Sequence, residues 1–142
     1  MFQQFRGFAM ALTVALLPGA TMAQEAGPLG VELNKTEQID GGGCRAFFLF
    51  RNGSGKSFEA FEMSLAILDQ QGVIDRLLSI NAAPLPVQRT TLKLFEIPDI
   101  ACADISEMLL HDIPACTPQN EESMDCFSIL SLSSRATAQL VQ

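Results

Sequence analysis

A chain of 142 residues with 16 acidic against nine basic side chains carries a formal net charge of −7 and holds no tryptophan or tyrosine. That length allows one domain behind a leader, not two. The acidic balance excludes a basic nucleic-acid footprint, and an anionic membrane surface repels such a chain.

The N-terminus reads MFQQFRGFAMALTVALLPGATMAQEAG, and Arg6 is the one charge among its first 24 residues. An apolar run from Phe8 to Leu17, the breaker Pro18-Gly19 and the small residues Thr21 and Ala23 form a secretory signal peptide over residues 1–23, cut before Gln24. The run falls well short of the roughly 18–20 apolar residues that span a bilayer. A single arginine does not support the twin-arginine route, and no cysteine follows the cut to carry a lipid. Cleavage leaves 119 residues with eight Lys and Arg against 16 acids, a net charge of −8. No later apolar run reaches spanning length, so the expected place of work is the periplasm or the exterior.

After cleavage the chain alternates short strand-like runs with turn residues. Residues 24–29 (QEAGPL) read as a mobile polar leader, residues 30–135 as the domain and residues 136–142 as a polar tail. Gly30–Gln38 alternates Val31 and Leu33 with polar positions and stops at Gly41-Gly42-Gly43, which lets the chain turn into the next run. Cys44–Asn52 (CRAFFLFRN) is the clearest strand. Phe58–Asp69 sets Phe61, Met63, Leu65 and Ile67 on one face, a period of two and not 3.6. Gln70-Gln71-Gly72 makes a hairpin turn into Val73–Asn81, and AAPLP (82–86) is a crossover into Val87–Ile97, where Leu92 and Leu94 alternate with Thr91 and Lys93. A single turn at Ala103–Ser106 and a strand over Glu107–Ile113 come next, although Ala101–Leu110 also suits a helix started by Asp104 or Ser106. The polar loop Thr117–Asp125 leads to the last alternating run, Phe127–Ser134. About seven short strands with hairpins and one crossover predict an all-β, immunoglobulin-like antiparallel sandwich.

Four cysteines, Cys44, Cys102, Cys116 and Cys126, predict two disulfides in an exported domain of this size. Their spacings, with a single histidine in the chain, do not suit zinc. Cys116 ends one expected strand and Cys126 opens the next, so antiparallel neighbours would bring them together. Cys44 begins the second strand and Cys102 precedes the sixth; in an immunoglobulin-like order those strand starts lie at the same end of facing sheets.

Chemistry is sparse. His111, in LLHDIP beside Asp112, is the sole candidate general base, and no G-x-S-x-G motif accompanies it. The acid pairs Glu59 with Glu62 and Asp99 with Asp104 are candidates for glycosidase work, but the stacking aromatics of sugar sites, Trp and Tyr, are missing. Glu121, Glu122 and Asp125 do not follow an oxygen-cage spacing for calcium. No catalytic, cofactor-binding or metal-binding residue is assigned. The feature that carries functional weight is apolar: Phe47 and Leu49 lie on one face of their strand and Phe48 and Phe50 on the other. This allows either a central buried strand or a partner patch.

The segments VELNK (31–35), GGGCRAFFLFRN (41–52), GVIDRLLSI (72–80) and TTLKLFEIPDIACADISEMLLHDIPAC (90–116) resemble a family of small exported alphaproteobacterial proteins labelled "Tat pathway signal sequence domain protein". The resemblance covers nearly all of the mature chain and is most specific around ACADI and IPAC; the lone Arg6 departs from the label. It implies no activity. It implies an envelope setting, near proton-channel biopolymer-transport components. The expectation is therefore an exported, non-catalytic binding or adaptor module of the cell envelope with a protein partner. The alternatives are a small periplasmic hydrolase built on His111 or an acid pair, and a secreted inhibitor or chaperone that captures an extended segment at a sheet edge.

Overall fold

The computed structural model describes residues 27–142, so the signal peptide expected over residues 1–23 lies outside the described residues. Eight strands form two four-stranded sheets, an all-β sandwich: β1 (Leu29–Gln38), β2 (Cys44–Asn52), β3 (Phe58–Asp69), β4 (Ile74–Asn81), β5 (Thr90–Ile97), β6 (Ile105–Pro118), β7 (Leu130–Ser134) and β8 (Gln139–Val141). One sheet, sheet A, has the order β5-β2-β1-β7, and the other, sheet B, the order β4-β3-β6-β8. Among the described residues no helix is long and apolar enough to cross a membrane.

The first six strands, each with a period of two, pair β1 with β2, β2 with β5, β3 with β4 and β3 with β6, all antiparallel. Each sends alternate side chains into the space between the sheets. Val31, Leu33, Phe48 and Phe50 of sheet A meet Phe61, Met63, Leu65 and Ile67 of sheet B there, every one at most 1% exposed. Phe50 and Phe61 touch edge to face with centroids 6.1 Å apart, and Phe58 continues the cluster at 6.3 Å from Phe61. Such tilted contacts add to the burial of the rings.

Turn chemistry sets the entry to β2. Gly41 and Gly42 have φ of 95° and 102°, a region that favours glycine. A Cβ on Gly43 would come within 2.9 Å of the Ile39 side chain, so the third glycine answers a close approach. At the far end of β2, Asn52 is buried and donates its amide to the carbonyls of Lys56 at 2.7 Å and Leu85 at 3.0 Å. Its Oδ1 accepts the Ser54 hydroxyl at 2.6 Å. One side chain thus ties the β2–β3 loop to the β4–β5 connection at that end of the sandwich.

Both disulfides pair as expected, Cys44 with Cys102 and Cys116 with Cys126. Cys44 opens β2 in sheet A and Cys102 lies in a 3₁₀ turn, Cys102–Asp104, just before β6 in sheet B, so this bond joins the sheets. The argument for the second pair needs correction. Cys116 and Cys126 do not join neighbouring strands of one sheet: β6 belongs to sheet B and β7 to sheet A. Their bond instead fastens the loop that carries the chain across, where the Met124 N–H also bonds the Cys116 carbonyl at 2.9 Å.

The C-terminal third departs from a purely antiparallel sandwich. β7 runs parallel to β1 and β8 parallel to β6, because the chain changes sheet between β6 and β7 and again between β7 and β8, and no hairpin joins these strands. The last strand falls inside the tail expected over residues 136–142: Ala138 and Leu140 are buried there. The leader expected over 24–29 also ends early. Leu29 is fully buried in β1, and the Gly27 N–H bonds the Gly53 carbonyl at 2.7 Å. Between β5 and β7 the ambiguous stretch is the 3₁₀ turn followed by a fourteen-residue strand, not a helix.

Candidate functional site

The outer face of sheet A is built of four rows that run across its strands. The first is Glu37 on β1, Arg45 on β2 and Glu96 on β5; the second Lys35, Phe47 and Leu94; the third Glu32, Leu49 and Leu92; the fourth Gly30, Arg51 and Thr90. Inward residues of β2 are Ala46, Phe48 and Phe50, all at most 1% exposed. Of the aromatic strand's four candidates, Phe48 and Phe50 therefore belong to the core, and Phe47 and Leu49 remain on the outside.

On β5 the face assignment is equally definite. Leu92 and Leu94 point out, 53% and 49% exposed, while Phe95 packs edge to face on Phe48 and Ile97 is buried. Phe47, Leu49, Leu92 and Leu94 thus form one contiguous apolar patch at the β5 side of the sheet. The sequence pattern contained Leu92 and Leu94 but did not mark them as surface residues.

Charges border this patch at both ends. Arg45 reaches Glu96 at 2.8 Å and Glu37 at 3.4 Å, and the Glu96 hydrogen bond raises its pKa above the usual arginine value. Glu37, Asp40, Arg45 and Glu96 line a shallow concavity of about 420 Å³ there. At the other end Glu32 is buried against the sheet and accepts from Asn34 at 2.8 Å, with Arg51 at 3.3 Å and Arg135 at 3.4 Å. The Asn34 amide, and then the two guanidinium groups, hold its carboxyl below the ordinary carboxylate value against the cost of burial. Beside it Arg51, Gln88 and Arg89 line a second hollow of about 190 Å³. In the middle, the Lys35 ammonium sits 4.5 Å from the centre of the Phe47 ring. Acids thus outnumber cations by one at the start of β2, where Lys35 also pairs with Glu37 at 3.3 Å, and arginines Arg51 and Arg89 stand at its end.

The other candidates scatter. His111 lies exposed on sheet B and its Nε2 is 2.8 Å from the Ser64 hydroxyl, a contact that sequence spacing did not suggest. Asp112 accepts the backbone N–H of Ile113 at 2.9 Å rather than orienting the imidazole. Glu59 lines a small hollow with Pro84, Pro86 and Gln119, whereas Glu62 stands mid-sheet opposite Asn81 and Ala115. Asp99 and Asp104 line one open groove together with Asp69 and Asp75. Glu121 pairs with Lys56 at 2.6 Å and Asp125 accepts the Phe127 N–H; Glu122 is exposed in the same loop. Among the described residues no group of three or more His, Cys, Asp or Glu is placed to hold a metal ion.

The edges β4 and β5 carry inward-turned cations. Arg76 on β4 donates to the Pro98 carbonyl beyond β5, and Lys93 on β5 donates to the Ala83 carbonyl beyond β4 at 3.3 Å. Each reaches across the open side of the sandwich to the opposite sheet. Inward charges of this kind hinder the addition of another strand.

These features define a two-sheet β-sandwich whose sheets are joined by a disulfide and whose outer face bears an apolar patch. The fold is similar to the solved structure of IrmA from Escherichia coli, with a TM-score of 0.57 and 16% identity over 74% of this chain and 90% of that one. At that identity the likeness is one of fold. No family model and no curated protein matches the chain.

Proposed function

We propose that this protein is an exported, non-catalytic binding module of the cell envelope and that the outer face of sheet A is its docking surface. The observation that carries the reading is the patch of Phe47, Leu49, Leu92 and Leu94: four large apolar side chains on an outward face, between two charged ends. A hydrophobic centre inside a polar rim is the anatomy of a protein-binding surface. Two disulfides and the secretory N-terminus support work outside the cytoplasm, in the periplasm or beyond it. The resemblance of the chain to the exported alphaproteobacterial family supports an envelope protein as partner, with a proton-channel biopolymer-transport complex the kind it implies.

Neither rival has equal support. A hydrolase would rest on His111 and Ser64, which lie on an open sheet without an oriented third member. Segment capture at a sheet edge is opposed at β4 and β5 by Arg76 and Lys93. Affinity capture from native envelope fractions tests the reading: wild type retains a partner, and the double variant Leu92→Asp/Leu94→Asp loses it. Equal recovery with both proteins contradicts it.

A further inference from the structure

We infer that Asn52 and Gly53 form a latent modification site. The pair is inert while the sandwich is folded; in the unfolded chain it deamidates, and the modified chain does not return to this fold. An asparagine followed by glycine is labile in an open chain because no side chain hinders the glycine nitrogen. The Gly53 nitrogen attacks the Asn52 Cγ, the Cγ–Nδ2 bond breaks, and ammonia leaves with the Gly53 proton, giving a cyclic succinimide. Water then opens the ring at either carbonyl and leaves aspartate or isoaspartate at position 52.

The fold blocks each part of this sequence. The Gly53 N–H donates to the carbonyls of Pro28 at 3.0 Å and Arg51 at 3.2 Å, so its nitrogen is not free to attack. The Asn52 Nδ2 is shared among the carbonyls of Lys56, Leu85 and Pro86, and its Oδ1 accepts both the N–H and the hydroxyl of Ser54. At 3% exposure the side chain is closed to water. Yet the fold requires this labile pair. One carboxamide serves as donor and acceptor at once, and a Cβ on Gly53 would lie 3.0 Å from the Pro28 carbonyl oxygen. Aspartate at position 52 would set a buried charge against three carbonyls, acceptor against acceptor. Isoaspartate would lengthen the main chain of β2 where the Asn52 N–H bonds the Arg89 carbonyl at 3.0 Å and its carbonyl accepts the Gln88 N–H at 2.9 Å. Unfolding that outlasts ring closure therefore becomes permanent.

The test holds the mature, oxidised protein at mildly alkaline pH in guanidinium chloride or in buffer alone, then returns both samples to neutral buffer. Folded and unfolded chains are separated by size exclusion, and peptide mass spectrometry reads residue 52 in each. Asn34, Asn81 and Asn120, none followed by glycine, are internal references. Position 52 converts ahead of the references in denaturant and at least about a hundredfold more slowly in buffer, where only the small open fraction reacts. After refolding, the folded fraction carries Asn52 and the converted chains stay in the unfolded fraction. Gly53→Ala, read in denaturant where no folding is needed, loses the lead over the references. Conversion in buffer at the denatured rate overturns the inference, as does a reference asparagine that converts first. So does aspartate or isoaspartate at position 52 in the folded fraction, or a Gly53→Ala chain that converts as fast as wild type.

Discussion

Phe47 on β2 stands directly opposite Leu94 on β5, and both point away from the core, whereas their chain neighbours Phe48 and Phe95 pack against each other inside it. The two members of each pair should answer mutation differently. Leu94→Asp, on a half-exposed position, should change the free energy of unfolding by no more than about 0.5 kcal/mol. Phe48→Ala, by emptying a buried site, should cost about 3–5 kcal/mol. Urea unfolding of both variants checks the assignment of faces; a large loss for Leu94→Asp would place that leucine in the core.

The two disulfides close loops of very different length, with separations of 58 residues for Cys44–Cys102 and 10 for Cys116–Cys126. Restriction of the unfolded chain predicts a loss of about 4.2 kcal/mol on removing the first and about 2.7 kcal/mol on removing the second. Paired Cys→Ala variants measured by denaturant unfolding should preserve that order. A larger loss at Cys116–Cys126 would show that the crossing loop, not the tie between sheets, limits stability.

Acid should weaken the fold through Glu32. Its carboxyl is held below the ordinary value of 4.5 by Asn34, Arg51 and Arg135. A depressed folded-state pKa contributes stability that is present above the unfolded value and lost as pH falls through the folded one. Melting temperature should therefore drop below about pH 4.5 more steeply in wild type than in Glu32→Gln, which has no proton to gain there. Parallel curves for the two proteins would remove Glu32 from the account.

Arg76 and Lys93 guard the open side of the sandwich by reaching to Pro98 and Ala83. Replacing both with threonine should cost about 1–2 kcal/mol through the lost charged hydrogen bonds. It should also leave two edges free to pair, so light scattering of the concentrated double variant should rise well before that of wild type. An unchanged scattering onset would mean that these cations have no protective role.

His111 with Ser64 should be chemically inert. Wild type and His111→Ala are expected to give the same background on ester, peptide and glycoside substrates. Turnover that disappears in the variant would overturn the non-enzymatic reading.

Much of this architecture is legible in the sequence because period-two alternation and turn residues report directly on strands, as in Phe58–Asp69 and the Gln70-Gln71-Gly72 turn, where Gly72 has a φ of 77°. The alternation does not say which face is inward. In CRAFFLFRN both faces are apolar, and in TTLKLFEI the inward set includes Thr91 and Lys93, so register with β2 and the opposite sheet decides. For the same reason the sequence offers Phe47, Phe48, Leu49 and Phe50 together as a patch, whereas Phe48 and Phe50 are core and the pairing of β2 with β5 sets Leu92 and Leu94 beside Phe47 and Leu49. β8 has no sequence signature, because three residues held by parallel pairing to β6 show no periodicity of their own. Local pattern suggests a hairpin between Cys116 and Cys126, but the chain crosses between sheets there, a long-range choice that local pattern does not encode.

Site-specific photo-crosslinking in the living cell addresses the docking surface most directly. A photoreactive side chain is placed at position 94 in one strain and at Ser79, exposed on β4 in sheet B, in another. The account predicts a discrete adduct from position 94, lost when Leu92 is changed to Asp, and none from position 79. Equal adducts from both positions, or none from position 94, would contradict it.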